Sequence, residues 1–188
     1  NVRLLGSDAD SMIRRLLALV VALCGLLVAA DSPATDRPVA LYLVRQSPMD
    51  PAAPAAATDI AELELAEAPV LTSKDFVSYD WNRHTLVITG HQWEWAKAVL
   101  TGGRPGTTAV STQFVVLVGD ERIYAGYFWG YLSSFLPPPS CPVINVGQVV
   151  EEDGLVSLRI LAKPEAEGLR GDSRIKAALA EAGVLSEW

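Results

Sequence analysis

The alternation of hydrophobic and polar residues predicts strands at six places in the chain. The clearest pair is 113–118 and 122–129, two apolar-rich runs separated by the turn Gly119-Asp120-Glu121, which is typical of a β-hairpin. The run 39–44 is apolar on both faces, which favours an interior strand. The other predicted strands are 85–89, 143–146 and 156–161.

A different spacing, that of an amphipathic helix, follows near the C-terminus. Ile175, Leu179 and Ala182 fall on one face of a helix over 173–182. Asp172 is expected to cap its start and Gly183 to end it.

Two more helical segments are predicted earlier in the chain. Residues 93–100 form about two turns before Gly102-Gly103, and 71–81 begins with hydroxyl residues that could cap a short helical turn, with Asp75 three residues after Thr72. The predicted fold class is α+β: a mainly antiparallel sheet of about five or six strands with two or three helices.

The N-terminal region resembles an export signal. Ile13-Arg14-Arg15 precedes an uncharged apolar run, 16–30, which is shorter than a membrane span and ends in small residues. We expect residues 12–30 to be a signal peptide cleaved after Ala30, and 1–11 to be a non-native upstream extension. The alternatives are a retained anchor or buried helix, or lipidation at Cys24, although Leu23 fits a lipobox poorly. Residues 31–188 then form one domain with an Ala/Pro-rich loop at 47–57.

Charge and cysteine content narrow the function classes. The chain has a net charge of −7, and the predicted mature part retains 12 basic and 20 acidic residues, so it lacks the basic surface that nucleic acids require. Cleavage would leave Cys141 as the single cysteine, without an intrachain disulfide partner. Its proline-rich surroundings supply no cation to activate a thiolate, which favours a packed, inert thiol.

Several motifs resemble those of a family of small exported bacterial proteins, many of them lipoproteins, with no assigned activity. The first is Ser78-Tyr79-Asp80-Trp81-x-x-His84, and the second is the hairpin segment Gly119-Asp120-Glu121-Arg122-Ile123-Tyr124-x-Gly126-x-Phe128. Ser133-Ser134 and Asp172-x-Arg174-Ile175 complete the pattern, which covers about residues 39 to 185. The resemblance implies export and a single domain, and it brings no catalytic residue with it.

Catalysis has one set of candidates in the sequence. Asp80 and His84 are close enough along the chain to form part of a nucleophilic triad, which Ser133 or Ser134 could complete. The alternative is structural: Asp80 caps a turn and His84 makes a hydrogen bond at the entry of a strand. Two histidines and one mature thiol are too few for a typical zinc site, so no metal or cofactor is predicted.

Aromatic residues suggest a binding surface instead. Twelve of the fourteen Phe, Trp and Tyr residues lie between Phe76 and Phe135. If Tyr124 and Phe128 pack inward, with Gly126 admitting a neighbour, period two turns Ile123, Ala125, Tyr127 and Trp129 to the other face. The predicted binding residues are Trp81, Tyr127, Trp129 and Tyr131.

Such a surface suits an envelope protein, a peptide or a glycan. The alternative is that these rings are buried by other parts of the chain. The sequence therefore favours an exported, non-enzymatic binding module of the bacterial envelope over its alternative, an envelope hydrolase.

Overall fold

A computed structural model describes residues 37–45, 59–102, 112–130 and 137–187, all within the compact unit Arg37–Trp188. Its strands are β1 (Val39–Leu43), β2 (Leu71–Thr72), β3 (Phe76–Asp80), β4 (Thr85–Thr89), β5 (Thr112–Val118), β6 (Glu121–Trp129), β7 (Val143–Asn145), β8 (Val150–Glu152), β9 (Leu155–Leu161) and β10 (Leu185–Ser186). Its helices are α1 (Gly90–Leu100), the short α2 (Glu167–Arg170), which follows a 3₁₀ turn at Pro164–Ala166, and α3 (Ser173–Glu181). Within these ranges no helix is long and apolar enough to cross a membrane.

The strands form a single curled sheet in the order β10-β3-β4-β9-β7-β6-β5-β1-β2, with β8 also paired to β9. Most neighbours are antiparallel, but β10 runs parallel to β3 and β7 runs parallel to β6. The sheet is mixed because a long stretch of chain separates β7 from β6, and β10 from β3, so neither pair is joined by a hairpin turn.

The fold prediction was therefore wrong about the sheet. We expected a mainly antiparallel sheet of five or six strands, and the structure has a mixed sheet of ten. The strands that pattern analysis missed include β2, β8 and β10, which contain only two or three residues each. A period of two cannot be recognised over so short a run, and the partners of these strands lie far away in sequence.

The concave face of the sheet encloses the main hydrophobic core. Phe114, Phe128 and Ile144 are completely buried there. Helices α1 and α3 also contribute to it, through Trp93, Ala96 and Leu100 from α1 and Ile175, Ala178 and Leu179 from α3. Each large side chain buried in this way stabilises the fold by about 1.5–3 kcal/mol, so this core supplies most of the driving force for folding.

The outer face of β1 and β5 carries a second, smaller cluster. Val44, Val115 and Leu117 are buried under Ile60, Leu63 and Leu65, from a segment that we call the cover, residues 59–66. Arg122 of β6 holds the cover in place: its Nη1 donates to the carbonyl oxygens of Ile60, Ala61 and Leu63 at 2.5, 3.0 and 2.8 Å. The cover explains why 39–44 is apolar on both faces, and β1 is an interior strand between β2 and β5, as predicted.

The predicted hairpin is confirmed as β5 and β6, with Gly119 in the left-handed region at φ 59°. Between Val116 and Leu117 the register shifts, so the partner strand bulges at Ile123. Ile123 packs against the main core while Ala125 packs against the outer cluster, so the two do not share a face as predicted. A bulge breaks the period of two and is invisible to a pattern based on it.

Of the predicted helices, the one near the C-terminus is confirmed and the one over 71–81 is wrong. Helix α3 begins after Asp172, whose side chain accepts from the Arg174 N–H at 2.9 Å, and the chain leaves it at Gly183 with φ 70°. Ala178, rather than the exposed Ala182, completes its buried face. The segment 71–81, by contrast, is not helical.

In that segment Asp75 accepts hydrogen bonds from the N–H and hydroxyl of Thr72, at 2.7 and 2.9 Å, and thereby closes a turn between β2 and β3. Helix α1 starts at Gly90, three residues before the predicted position, because Thr89 and Gln92 form a capping box at its start. Predictions for 1–11, for the signal peptide and for the Ala/Pro-rich loop concern residues outside the described ranges.

Candidate functional site: a pocket on the outer face of the sheet

The structure gives each member of the proposed catalytic pair, Asp80 and His84, a hydrogen-bond partner outside the pair. The Asp80 carboxylate accepts hydrogen bonds from the backbone N–H and the guanidinium of Arg83, at 3.0 and 3.1 Å. The Arg83 N–H, with help from its side-chain charge, lowers the pKa of Asp80 against the opposing effect of burial. Asp80 thus caps the turn between β3 and β4, and Ser133 and Ser134 lie outside the described residues.

His84 belongs to an aromatic cluster instead. Its Nδ1 lies 3.2 Å from the Tyr79 hydroxyl, and its ring centroid is 5.4 Å from that of Trp81. Burial, together with the nearby Arg170 charge, lowers the pKa of His84, which keeps the imidazole neutral near pH 7 and leaves Nδ1 able to accept from the phenol. Burial raises the pKa of Tyr79, so the phenol stays protonated and is no nucleophile.

This cluster joins parts of the fold rather than presenting a site. Tyr79, Tyr124 and Ile175 all face a core cavity of only about 20 Å³, and Arg174 of α3 pairs with Glu121 at the hairpin turn. Three of the motif segments noted in the sequence therefore meet around this core cavity, and the fourth, Ser133-Ser134, lies outside the described residues. Their contacts account for these residues through packing and ion pairing, without a ligand.

The predicted binding residues are separated by the structure. Tyr124 and Phe128 face the core, which is the condition on which the predicted binding surface depended, and a Cβ at Gly126 would lie 2.5 Å from the Phe114 ring. Tyr127 is only 2% exposed and burial raises its pKa to about 12, so its ring is not available to a ligand.

The other predicted binding residues are Trp81, Tyr131 and Trp129. Trp81 is partly buried, with the Lys176 ammonium 5.4 Å from its ring centroid, and Tyr131 is outside the described ranges. Trp129 is partly exposed and lines a cavity.

That cavity, which we call the apolar pocket, lies on the outer face where β6, β7 and β9 end. Its volume is about 300 Å³, at the lower limit for small-molecule sites. Strand pairing places Trp129 beside Asn145 and Val143 beside Leu161, and Pro137, Pro138 and Cys141 close one side.

The polar groups of the apolar pocket are mainly hydrogen-bond donors. Asn145 uses its side-chain oxygen to accept from the Gly147 N–H at 2.9 Å, which leaves its amide N–H groups for another partner. Lys163, a cationic residue, also lines this pocket. Burial raises the pKa of the Cys141 thiol, so Cys141 contributes apolar surface and not a nucleophile.

A second cavity of about 300 Å³, the polar pocket, adjoins the first. The two share Asn145 and Leu161. The polar pocket is otherwise lined by Thr85, Gln148, Val150, Ser157 and Arg159. Thr85 and Arg159 are direct neighbours across β4 and β9, and both strands expose this face.

Sequence reasoning singled out Trp129 but missed Asn145, Arg159, Leu161 and Lys163. The alternation in β9 does carry a signal, since Val156, Leu158 and Ile160 are buried while Ser157 and Arg159 point the other way. That pattern indicates an outward face, but it cannot show that β6 and β7 lie beside it. Cys141 was expected to be a packed, inert thiol, but its place in the wall of a pocket was not predicted.

Among the described residues, no group of three or more His, Cys, Asp or Glu side chains is arranged to hold a metal ion. Comparison with known proteins identified no matching family model, no similar curated protein and no similar solved structure. The case for a function therefore depends on the geometry of the two pockets.

Proposed function

We propose that this protein is an exported, non-enzymatic binding module of the bacterial envelope, related to the small exported proteins that its motifs resemble, and that its ligand site is the apolar pocket. The observation that carries the proposal is the cavity of about 300 Å³ beside Trp129. It is lined mainly by apolar side chains and has a few polar groups that can orient a ligand, which is the usual make-up of a small-molecule site.

The chemistry of the same residues supports binding over catalysis. A hydrolase would use His84 as a general base oriented by Asp80, but the ring nitrogen Nδ1 faces a phenol and the carboxylate is engaged by Arg83. In the apolar pocket the thiol of Cys141 has a raised pKa, which disfavours the thiolate.

A neutral apolar fluorophore, N-phenyl-1-naphthylamine, tests the site without assuming what the natural ligand is. We expect the purified protein to bind it, and Trp129→Ala to weaken binding at least about tenfold because a large flat surface is lost. Trp95→Ala is the matched control: Trp95 is 48% exposed on α1, and its removal should change the dissociation constant less than about twofold.

Leu161→Asp provides a second, independent variant. Leu161 is 37% exposed, so the fold should tolerate an aspartate there, while the added charge should exclude an apolar probe from the pocket. Binding that survives both Trp129→Ala and Leu161→Asp would contradict the assignment of the apolar pocket as the site.

Export is tested separately by following the full chain in a bacterial host. Cleavage at the proposed position yields a periplasmic or secreted protein whose N-terminus is Asp31. A protein retained in the cytoplasm with residues 12–30 intact would refute export, and a membrane-bound form lipidated at Cys24 would replace the soluble form in the proposal.

A further inference from the structure

From the adjoining pockets we infer the ligand class: a single-chain amphiphile with a phosphate head group, whose chain occupies the apolar pocket and whose phosphate lies in the polar pocket. This inference rests on the proposed function, since it names the ligand of the same site. It requires the two cavities to act as one, and they share Asn145 and Leu161 as a common wall.

The chain end of the ligand is indicated by size and lining. Trp129, Val143 and Leu161 present apolar surface, and a volume of about 300 Å³ suits one acyl chain better than a pair of chains. A glycan would need many hydrogen-bonding side chains beside the ring, whereas Asn145 and Lys163 are the main polar side chains that line this pocket.

A peptide bound as an additional strand is disfavoured by the sheet itself. At this position β7 pairs with β6 on one side and with β9 on the other, so the backbone groups that such a peptide would use are already bonded. The ligand must therefore bind through side chains, which fits an amphiphile.

The head group is indicated by charge. Arg159 has no ion-pair partner among the residues that the structure describes, in contrast to Arg45, which pairs with Glu64 and Glu67. Ser157 lines the same pocket as Arg159, and a second cationic residue, Lys163, lines the apolar pocket on the other side of the shared wall. Arginine and hydroxyl donors match the several acceptor oxygens of a phosphate.

The nearest acidic side chain in the same row of the sheet does not oppose this assignment. Asp80 lies opposite Thr85, which in turn lies opposite Arg159. Its carboxylate is already paired with Arg83 at 3.1 Å. In a chain with a net charge of −7, two cations that face one pair of cavities favour an anionic ligand there.

The test is displacement of N-phenyl-1-naphthylamine by two lipids with the same chain, 1-lauroyl-lysophosphatidic acid and 1-lauroylglycerol, both below their micelle concentrations. We expect the phosphate lipid to displace the probe at a concentration at least about tenfold lower, which is the effect of one charge-assisted contact. The difference should shrink at 0.5 M NaCl, and inorganic phosphate alone should not displace the probe.

Arg159→Gln and Arg45→Gln form the matched pair of variants. We expect Arg159→Gln to remove the preference for the phosphate lipid while binding of the probe itself is retained, and Arg45→Gln to leave both unchanged. Equal displacement by the two lipids, no displacement by either, or equal effects of the two arginine variants would overturn the inference. If the probe does not bind the unmodified protein at all, the proposed function fails, and the two failures are thereby distinguished.

Discussion

Two halves of the same outer sheet face differ in what lies on them. On the β1–β5 side, the cover packs Ile60, Leu63 and Leu65 onto apolar side chains and Arg122 fastens it through three carbonyl oxygens. On the β4–β9–β7 side, the corresponding positions are partly exposed and include Ser157 and Arg159, and two cavities lie there. A sheet face covered by its own chain becomes core, whereas one left open becomes a candidate binding surface.

The largest expected effect is on the opposite, core-facing side of β6, the strand that lies between the two halves. Gly126 of β6 packs against Phe114 of β5, and its substitution by alanine would place a Cβ 2.5 Å from the Phe114 ring and 2.7 Å from the Pro142 carbonyl oxygen. Because a backbone atom is involved, the clash cannot be relieved by a rotamer change. We expect Gly126→Ala to lower the free energy of unfolding by about 3 kcal/mol, measured by urea denaturation.

Gly168→Ala is the control for that substitution. A Cβ at Gly168 in α2 would meet no atom within 4 Å, so alanine should not destabilise the protein and, as the better helix former, should raise its stability by up to about 1 kcal/mol. If both variants unfold at the same urea concentration as the unmodified protein, the close packing at Gly126 is wrong.

An intermediate effect is expected from a pair of valines in the middle of outer-face strands. Val115 in β5 is completely buried beneath the cover, whereas Val87 in β4 is only partly buried on the open half. Val115→Ala removes two methyl groups and leaves a cavity, so it should lower the free energy of unfolding by about 2 kcal/mol. Val87→Ala removes the same groups from a partly buried position and should lower it by less than about 1 kcal/mol. Equal losses of unfolding free energy in the two variants would mean that the halves are equally covered.

The smallest effect concerns pH and the aromatic cluster of Tyr79, Trp81 and His84, which packs against the core rather than on the outer face. Burial and Arg170 lower the pKa of His84 below its usual value of 6.5 in the folded state, so the unfolded chain binds a proton more readily. The stability from neutral His84 is fully present above about pH 6.5 and is lost as pH falls toward the folded-state pKa. Asp80 also has a lowered pKa, but it affects stability only in the more acidic range, below its usual value of 3.8.

Melting temperatures of the unmodified protein and His84→Asn measure this effect between pH 7 and 5. Asparagine suits the variant because His84 has a φ of 48° and asparagine tolerates the left-handed region. We expect the unmodified protein to lose more melting temperature than the variant over this range. Identical losses would show that His84 is not the group responsible.

Several local features could be predicted because they depend on neighbours in sequence. The β5–β6 hairpin follows from two apolar runs around Gly119, and α3 follows from Asp172, the spacing of Ile175 and Leu179, and Gly183. The period of two placed Tyr124 and Phe128 on one face of β6, and the structure shows that this face is buried. The capping role of Asp80, offered as the alternative to catalysis, is also a contact made within a few residues.

The candidate site could be predicted only at Trp129. The hairpin pattern placed Tyr127 and Trp129 on the same face, correctly, but it could not show that Tyr127 is buried while Trp129 borders a cavity. That difference depends on the segment around Cys141 and on β7, which joins β6 in parallel after a long connection. Neither residue's own neighbours in sequence contain that information.

The amino-acid sequence by itself determined most of the longer strands, though not β3, and the two longer helices, since local propensity, caps and periodicity act within a few residues. It also determined the acidic net charge. The order and mixed direction of the ten strands, the covering of one half of the outer face and the joining of two pockets at Asn145 and Leu161 were decided only by the tertiary structure. These features arise from pairings between segments distant in sequence, whose stability comes from burying surface together, and no single segment specifies its partner.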